Sequence, residues 1–228
     1  MAFTGTHCFD DGTTLYRWDL TQEDSEQLAR ECEQQGLDAT VEAKAESRRR
    51  EILAERLLVN LIVRNANLHH NEDRAPVLNE LEGFLSIAHT RQELLIAINT
   101  HHAVGIDLET YRDRVLRVRD AFLNESECTW IAADDLMAHV VAWTAKEAIF
   151  KVIEQHSRVR SYRNDIILDP FTLPDGLPPT QDSPCPTLNH TASFAEGTGS
   201  TPFALTTILT PTASFTLACL TTTQSKST

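Results

Sequence analysis

The strongest helical pattern in the chain runs from about Met137 to Gln155, and it constrains the fold more than any other feature. Within it lies Trp143-Thr144-Ala145-Lys146-Glu147-Ala148-Ile149-Phe150-Lys151. Trp143, Glu147 and Lys151 fall four apart and share one helix face. Ala142, Ile149 and Phe150 are available for the buried side. Glu147 followed by Lys151 has the favourable polarity for an i,i+4 ion pair, so the plainest reading of the motif is a salt bridge on an exposed helix.

The other elements arrange themselves around this helix. Residues 21–35 are helix-compatible, with Thr21 and Asp24 as possible caps. Ser47–Asn65 repeats apolar residues at three- and four-residue steps (Ile52, Leu53, Leu57, Val59, Leu61, Ile62). Arg114–Leu123 reads as helical, and Asn124 with Glu127 resembles a capping box opening a further helix. Strands are predicted at Phe84–Ala88, Leu94–Ile98, Val104–Leu108, Tyr162–Leu168, Phe203–Leu209 and Ser214–Leu220. Residues 67–83 and 170–186 read as loops. Helices precede strands twice over, which predicts an α+β fold with two similar halves.

Charge narrows the partners. The formal net charge is −13 over 228 residues. Such a chain repels nucleic-acid backbones and anionic membranes, so neither is expected as a partner. Arginines nevertheless cluster at Arg48–Arg50 and at Arg112, Arg114, Arg117 and Arg119. The first group opens a helix, where positive charge opposes the helix dipole and a bound anion would relieve the conflict. Only four lysines occur, and Lys146 and Lys151 lie in one helix. The five scattered cysteines lack C-x-x-C spacing, which argues against a disulfide framework or a zinc ribbon. No signal peptide or membrane span is visible, and a reducing, cytoplasmic setting is expected.

A second motif is Val104-Gly105-Ile106-Asp107-Leu108-Glu109. Alternation along a strand sends Ile106 and Leu108 to one face, and Asp107 and Glu109 to the other. Two like charges on one face repel. They are either ordinary solvated acids or hard oxygen ligands for a divalent cation.

Together the two motifs resemble the paired signature of the 4′-phosphopantetheinyl transferases. Glu147 follows Glu109 by 38 residues, in keeping with that family. Ser86-Ile87-Ala88-His89-Thr90 is similar to the family's strand ending in Ser-His-Ser or Ser-His-Thr. The order of the three elements matches the longer, single-chain type. The resemblance is specific from about Phe84 to Lys151. Two departures stand out. Ala88 replaces the usual serine beside the histidine, and Arg74-Ala75-Pro76 stands where the family has Gly-Lys-Pro.

The resemblance implies transfer of the 4′-phosphopantetheine arm of coenzyme A to a serine of an apo acyl or peptidyl carrier protein. A catalytically weak module that binds coenzyme A or a carrier is the alternative. Asp107, Glu109 and Glu147 would hold Mg2+. Glu147 would help remove the serine proton, and Lys151 would stabilise the departing 3′,5′-ADP. His89, Arg74, Arg50 and Lys146 would contact coenzyme A, with Lys146 alternatively supporting Glu147. The implied fold has two halves related by a pseudo-two-fold axis, each a small antiparallel sheet packed on a long helix. Residues 1–103 would form the coenzyme A half, residues 104–220 the metal half, and residues 221–228 a disordered tail. A monomer is expected.

Overall fold

The computed structural model describes residues 2–66, 68–70, 76–154, 161–176 and 185–221. The chain is α+β and divides into two compact units, Met1–His101 and His102–Thr228. Each carries an antiparallel sheet and a long helix.

The first unit contains β1 (Phe3–Cys8), β2 (Thr14–Asp19), α1 (Ser25–Gln34), α2 (Glu46–Ile62), β3 (Leu68–His70), β4 (Pro76–Leu78), β5 (Phe84–His89) and β6 (Glu93–Asn99). Its main sheet has the order β1-β2-β6-β5, and β3 pairs with β4 alone. Asp24 caps α1: its carboxylate accepts from the Gln27 amide, and the Gln27 side chain accepts from the Asp24 amide. That reciprocal box satisfies two donors that a helix start leaves open. Leu28 and Cys32 of α1 and Leu53 and Leu57 of α2 join Trp18, Leu94 and Ile96 in one buried cluster. The short β3–β4 hairpin lies within residues 67–83, where a loop is expected from the sequence.

The second unit contains β7 (Val104–Thr110), α3 (Arg114–Arg117), α4 (Arg119–Phe122), a 3₁₀ turn (Glu127–Thr129), α5 (Leu136–Glu154), α6 (Tyr162–Asp165), β8 (Ile166–Leu168), β9 (Thr187–Glu196), β10 (Gly199–Leu209) and β11 (Ala213–Leu220). The sheet order is β7-β11-β10-β9-β8, so β7 is an edge strand. Helix α5 packs on β7 and β11.

Gly105 sets that packing. A Cβ there would collide with the Ala148 carbonyl oxygen and meet Val152 Cγ2 at 2.9 Å. The missing side chain lets the helix backbone lie directly on the strand. Along β7 burial alternates as the pleat requires: Ile106 and Leu108 are buried, while Asp107 and Glu109 are half-buried.

Several expected elements shift. Arg114–Leu123 is two short helices that meet at Val118. Asn124 and Glu127 do form reciprocal capping bonds, but these open a single 3₁₀ turn. The predicted strand Tyr162–Leu168 is helical as far as Asp165, because the Ser161 hydroxyl caps a turn there, and is extended only over β8. The five cysteines are free thiols. Among the described residues no helix is long and apolar enough to cross a membrane. All of the expected tail except Thr221 lies outside the described residues.

Candidate functional site

The second unit brings the strand motif and the helix motif together. Lys151 Nζ donates to Asp107 Oδ1 at 2.9 Å and to the Ile106 carbonyl at 2.8 Å. The strand that carries Asp107 and the helix that carries Glu147 are therefore joined by a direct ion pair. The pair is only partly enclosed, with side chains 26% and 15% exposed. Glu147 is half-buried on the same helix stripe as Trp143 and Lys151, as the four-residue spacing predicts. Phe150, expected on the buried side, is instead half-buried and stacks on Tyr162 at 4.7 Å.

Glu109 turns one carboxylate oxygen to its neighbour: Oε1 accepts from the Thr110 amide at 2.8 Å and the Thr110 hydroxyl at 3.2 Å. Opposite Glu109 in the β7–β11 register sits Ser214, fully buried, whose hydroxyl has no partner among the described residues. Among the described residues, Asp107, Glu109 and Glu147 do not bring their oxygens within 4.8 Å of one another. All three are half-buried. Carboxylate oxygens are the ligand type magnesium takes, a few at a time, alongside waters and substrate phosphates. A cation already sits against Asp107 in the form of the Lys151 ammonium. The three carboxylates are hard oxygen donors, and the Ser214 hydroxyl, without a partner among the described residues, adds a polar atom opposite Glu109.

Lys146 behaves differently from its motif neighbour. It is fully buried, and its Nζ donates to Glu127 Oε2 at 2.8 Å, the Ile166 carbonyl at 2.7 Å and the Tyr162 carbonyl at 3.3 Å. Glu127 also accepts from the Leu168 and Asn124 amides. All three ammonium donors are used internally. Burial lowers the Lys146 pKa from its usual value, and the Glu127 carboxylate pulls it back up. The expectation that Lys146 reaches a phosphate thus gives way to a strut that ties α5 to the 3₁₀ turn and β8.

In the first unit, His89 ends β5 with its ring exposed. Its Nε2 lies 3.4 Å from Arg48 Nη1, and its Nδ1 lies 3.7 Å from Glu51 Oε2. Arg48 also pairs with Glu51 at 3.1 Å. The arginine gathered at His89 is therefore Arg48, whereas Arg50 gives Nη1 to the Leu20 carbonyl at 2.9 Å. Helix phase is the signal that separates them: Arg48 lies three residues before Glu51 on one face, and Arg50 points elsewhere. Arg74 lies outside the described residues. Ala88, in the place of a serine, is buried.

The second arginine group surrounds α3. Arg112, Arg114 and Arg117 are exposed, Arg119 is partly so, and Val118 among them is one of the few large apolar side chains open to solvent.

Residues 103–207 match the model of the 4′-phosphopantetheinyl transferase superfamily. The matched segment spans β7, α5 and most of the second sheet, and it supports a transferase-like enzyme. No curated protein matches the chain.

Proposed function

We propose that this protein is a 4′-phosphopantetheinyl transferase of the longer, single-chain type, moving the phosphopantetheine arm of coenzyme A to a serine of an apo acyl or peptidyl carrier protein. The observation that carries this reading is the junction of β7 and α5. Lys151 bridges to Asp107, and Gly105 admits the helix backbone one residue beyond Glu147.

Asp107, Glu109 and Glu147 would hold Mg2+, which when bound supplies Lewis-acid polarisation of the diphosphate. The chain's own groups do the rest. The serine oxygen forms a bond to the phosphorus that bears the pantetheine arm. The bond from that phosphorus to the 3′,5′-ADP oxygen breaks. Glu147 takes up the serine proton, and Lys151 offers positive charge to the departing phosphate. His89, with Arg48 beside it, would meet a phosphate of coenzyme A. Arg114 and Arg117, with exposed Val118, would steer an acidic carrier surface on a chain that otherwise repels acids.

The test is to incubate the protein with magnesium, coenzyme A and an apo carrier, and to weigh the carrier. Gain of the phosphopantetheine mass, lost on chelating magnesium, supports the transferase. Coenzyme A binding without any gain across several carriers points to the binding module instead. Neutralising Arg114 and Arg117 should raise KM for the carrier; an unchanged KM removes the steering role.

A further inference from the structure

A buried chain of hydroxyls crosses the second sheet beneath α5. Thr144 Oγ1 of α5 lies 2.8 Å from Thr216 Oγ1 of β11, which lies 2.8 Å from Thr207 Oγ1 of β10. His190 Nε2 of β9 lies 2.9 Å from Thr207 Oγ1. At the other end, Thr144 Oγ1 donates to the Val141 carbonyl at 3.1 Å. The three threonines are fully buried and His190 nearly so.

Counting protons gives this chain a direction. A hydroxyl has one hydrogen. The Thr144 hydrogen goes to the Val141 carbonyl, which can only accept. Thr216 must then donate to Thr144, and Thr207 to Thr216. With both hydroxyl hydrogens spent, His190 must donate from Nε2 to Thr207. His190 therefore carries a proton on Nε2. Its Nδ1 is buried and has no partner among the described residues. A lone pair is tolerated there better than a second N–H, and this agrees with the burial that lowers its pKa to about 4.

The chain ends where the proposed chemistry begins. Thr216 is the register partner of Asp107, and Thr144 lies three residues before Glu147. Ala148, one residue after Glu147, rests on Gly105. Glu147 is thus bracketed by two anchors to the sheet, a hydrogen bond at the Asp107 row and a backbone contact at Gly105.

We propose that Thr144, Thr216, Thr207 and His190 form a positioning ladder that fixes α5 in register with β7 and so sets Glu147 relative to Asp107. The ladder rests on the transferase reading for its catalytic consequence and on the hydroxyl geometry alone for its existence. Hydrogen bonds passed in one direction reinforce one another, so the ladder acts as a unit.

Two measurements on the full chain test it separately. Imidazole nitrogen chemical shifts at neutral pH should show His190 neutral with the proton on Nε2. A neutral ring with its proton on Nδ1 overturns the ladder whatever the enzyme does. In the carrier assay, Thr144→Val should lower kcat about ten- to a hundredfold, the scale of a small misplacement of a reacting group. KM for coenzyme A should stay within about twofold if ground-state binding is untouched. Thr144→Ser, which keeps the hydroxyl, should restore most of kcat. Equal kcat in wild type and Thr144→Val, or no rescue by serine, defeats the positioning role. A wild-type chain that modifies no carrier defeats the transferase reading beneath it, and the imidazole shifts then decide the ladder alone.

Discussion

Lys146 and Lys151 leave the same helix five residues apart, about 140° around its axis, and meet opposite fates. Lys146 is sealed: its ion pair with Glu127 is 2.8 Å long, with side chains 0% and 1% exposed. Lys151 is open: its pair with Asp107 is nearly as short at 2.9 Å, but water reaches both partners. The contrast teaches that motif membership does not settle a role. A lysine whose three donors are met inside the protein holds structure. A lysine on a half-open carboxylate can exchange that partner for a phosphate.

The largest effect should come from breaking the sealed pair alone. Lys146→Ala leaves the Glu127 carboxylate buried without its partner, and about 3–5 kcal/mol of stability should be lost in a denaturant titration. Replacing both members with apolar residues, Lys146→Met with Glu127→Leu, should recover only part of it, because the Asn124 and Leu168 amides and the Ile166 carbonyl lose their partners. A single variant as stable as wild type contradicts the sealed assignment.

The next effect belongs to the same enclosed layer. Burial holds His190 neutral with a pKa of about 4, against 6.5 for an ordinary histidine. The unfolded chain therefore binds a proton that the folded chain refuses. The His190 contribution is complete above pH 6.5 and fades as pH falls toward 4, by about 3 kcal/mol in all. His190→Gln should flatten the stability profile in that window. An unchanged profile shows that His190 is not held neutral.

Gly105→Ala should cost about 1–3 kcal/mol by forcing α5 off β7, and it should depress turnover more than it depresses melting temperature. The smallest effect on stability belongs to the open pair. Lys151→Met should cost no more than about 1 kcal/mol. Titration calorimetry should nevertheless find tighter Mg2+ binding in the absence of coenzyme A, because a positive charge has been removed from Asp107. Weaker magnesium binding contradicts an exchangeable Lys151.

The second unit is the more legible in the sequence, for physical reasons. The Glu147–Lys151 stripe and the Asp107–Glu109 alternation are local, so helix and strand periods place them correctly. Strand β9 was obscured because His190 interrupts its apolar alternation, and β1 is a polar edge strand with little burial to mark it. Local pattern does not foretell the helical turn at Tyr162–Asp165, where the Ser161 cap outweighs the strand propensity of Tyr162. Lys146 could not be read as a strut, because its carboxylate partner lies 19 residues upstream and only the fold brings them together. The approach of Arg48 to His89 is hidden for the same reason: the two lie 41 residues apart.

The open pair is best judged by the transfer reaction itself. Wild type and Asp107→Ala should be compared in a single-turnover assay with magnesium, coenzyme A and an apo carrier, alongside the Lys146→Met, Glu127→Leu double variant. The wild type should load the carrier, the double variant should keep a substantial share of that rate, and Asp107→Ala should load essentially none while remaining folded. An Asp107→Ala protein that loads the carrier at the wild-type rate would contradict the account at its centre.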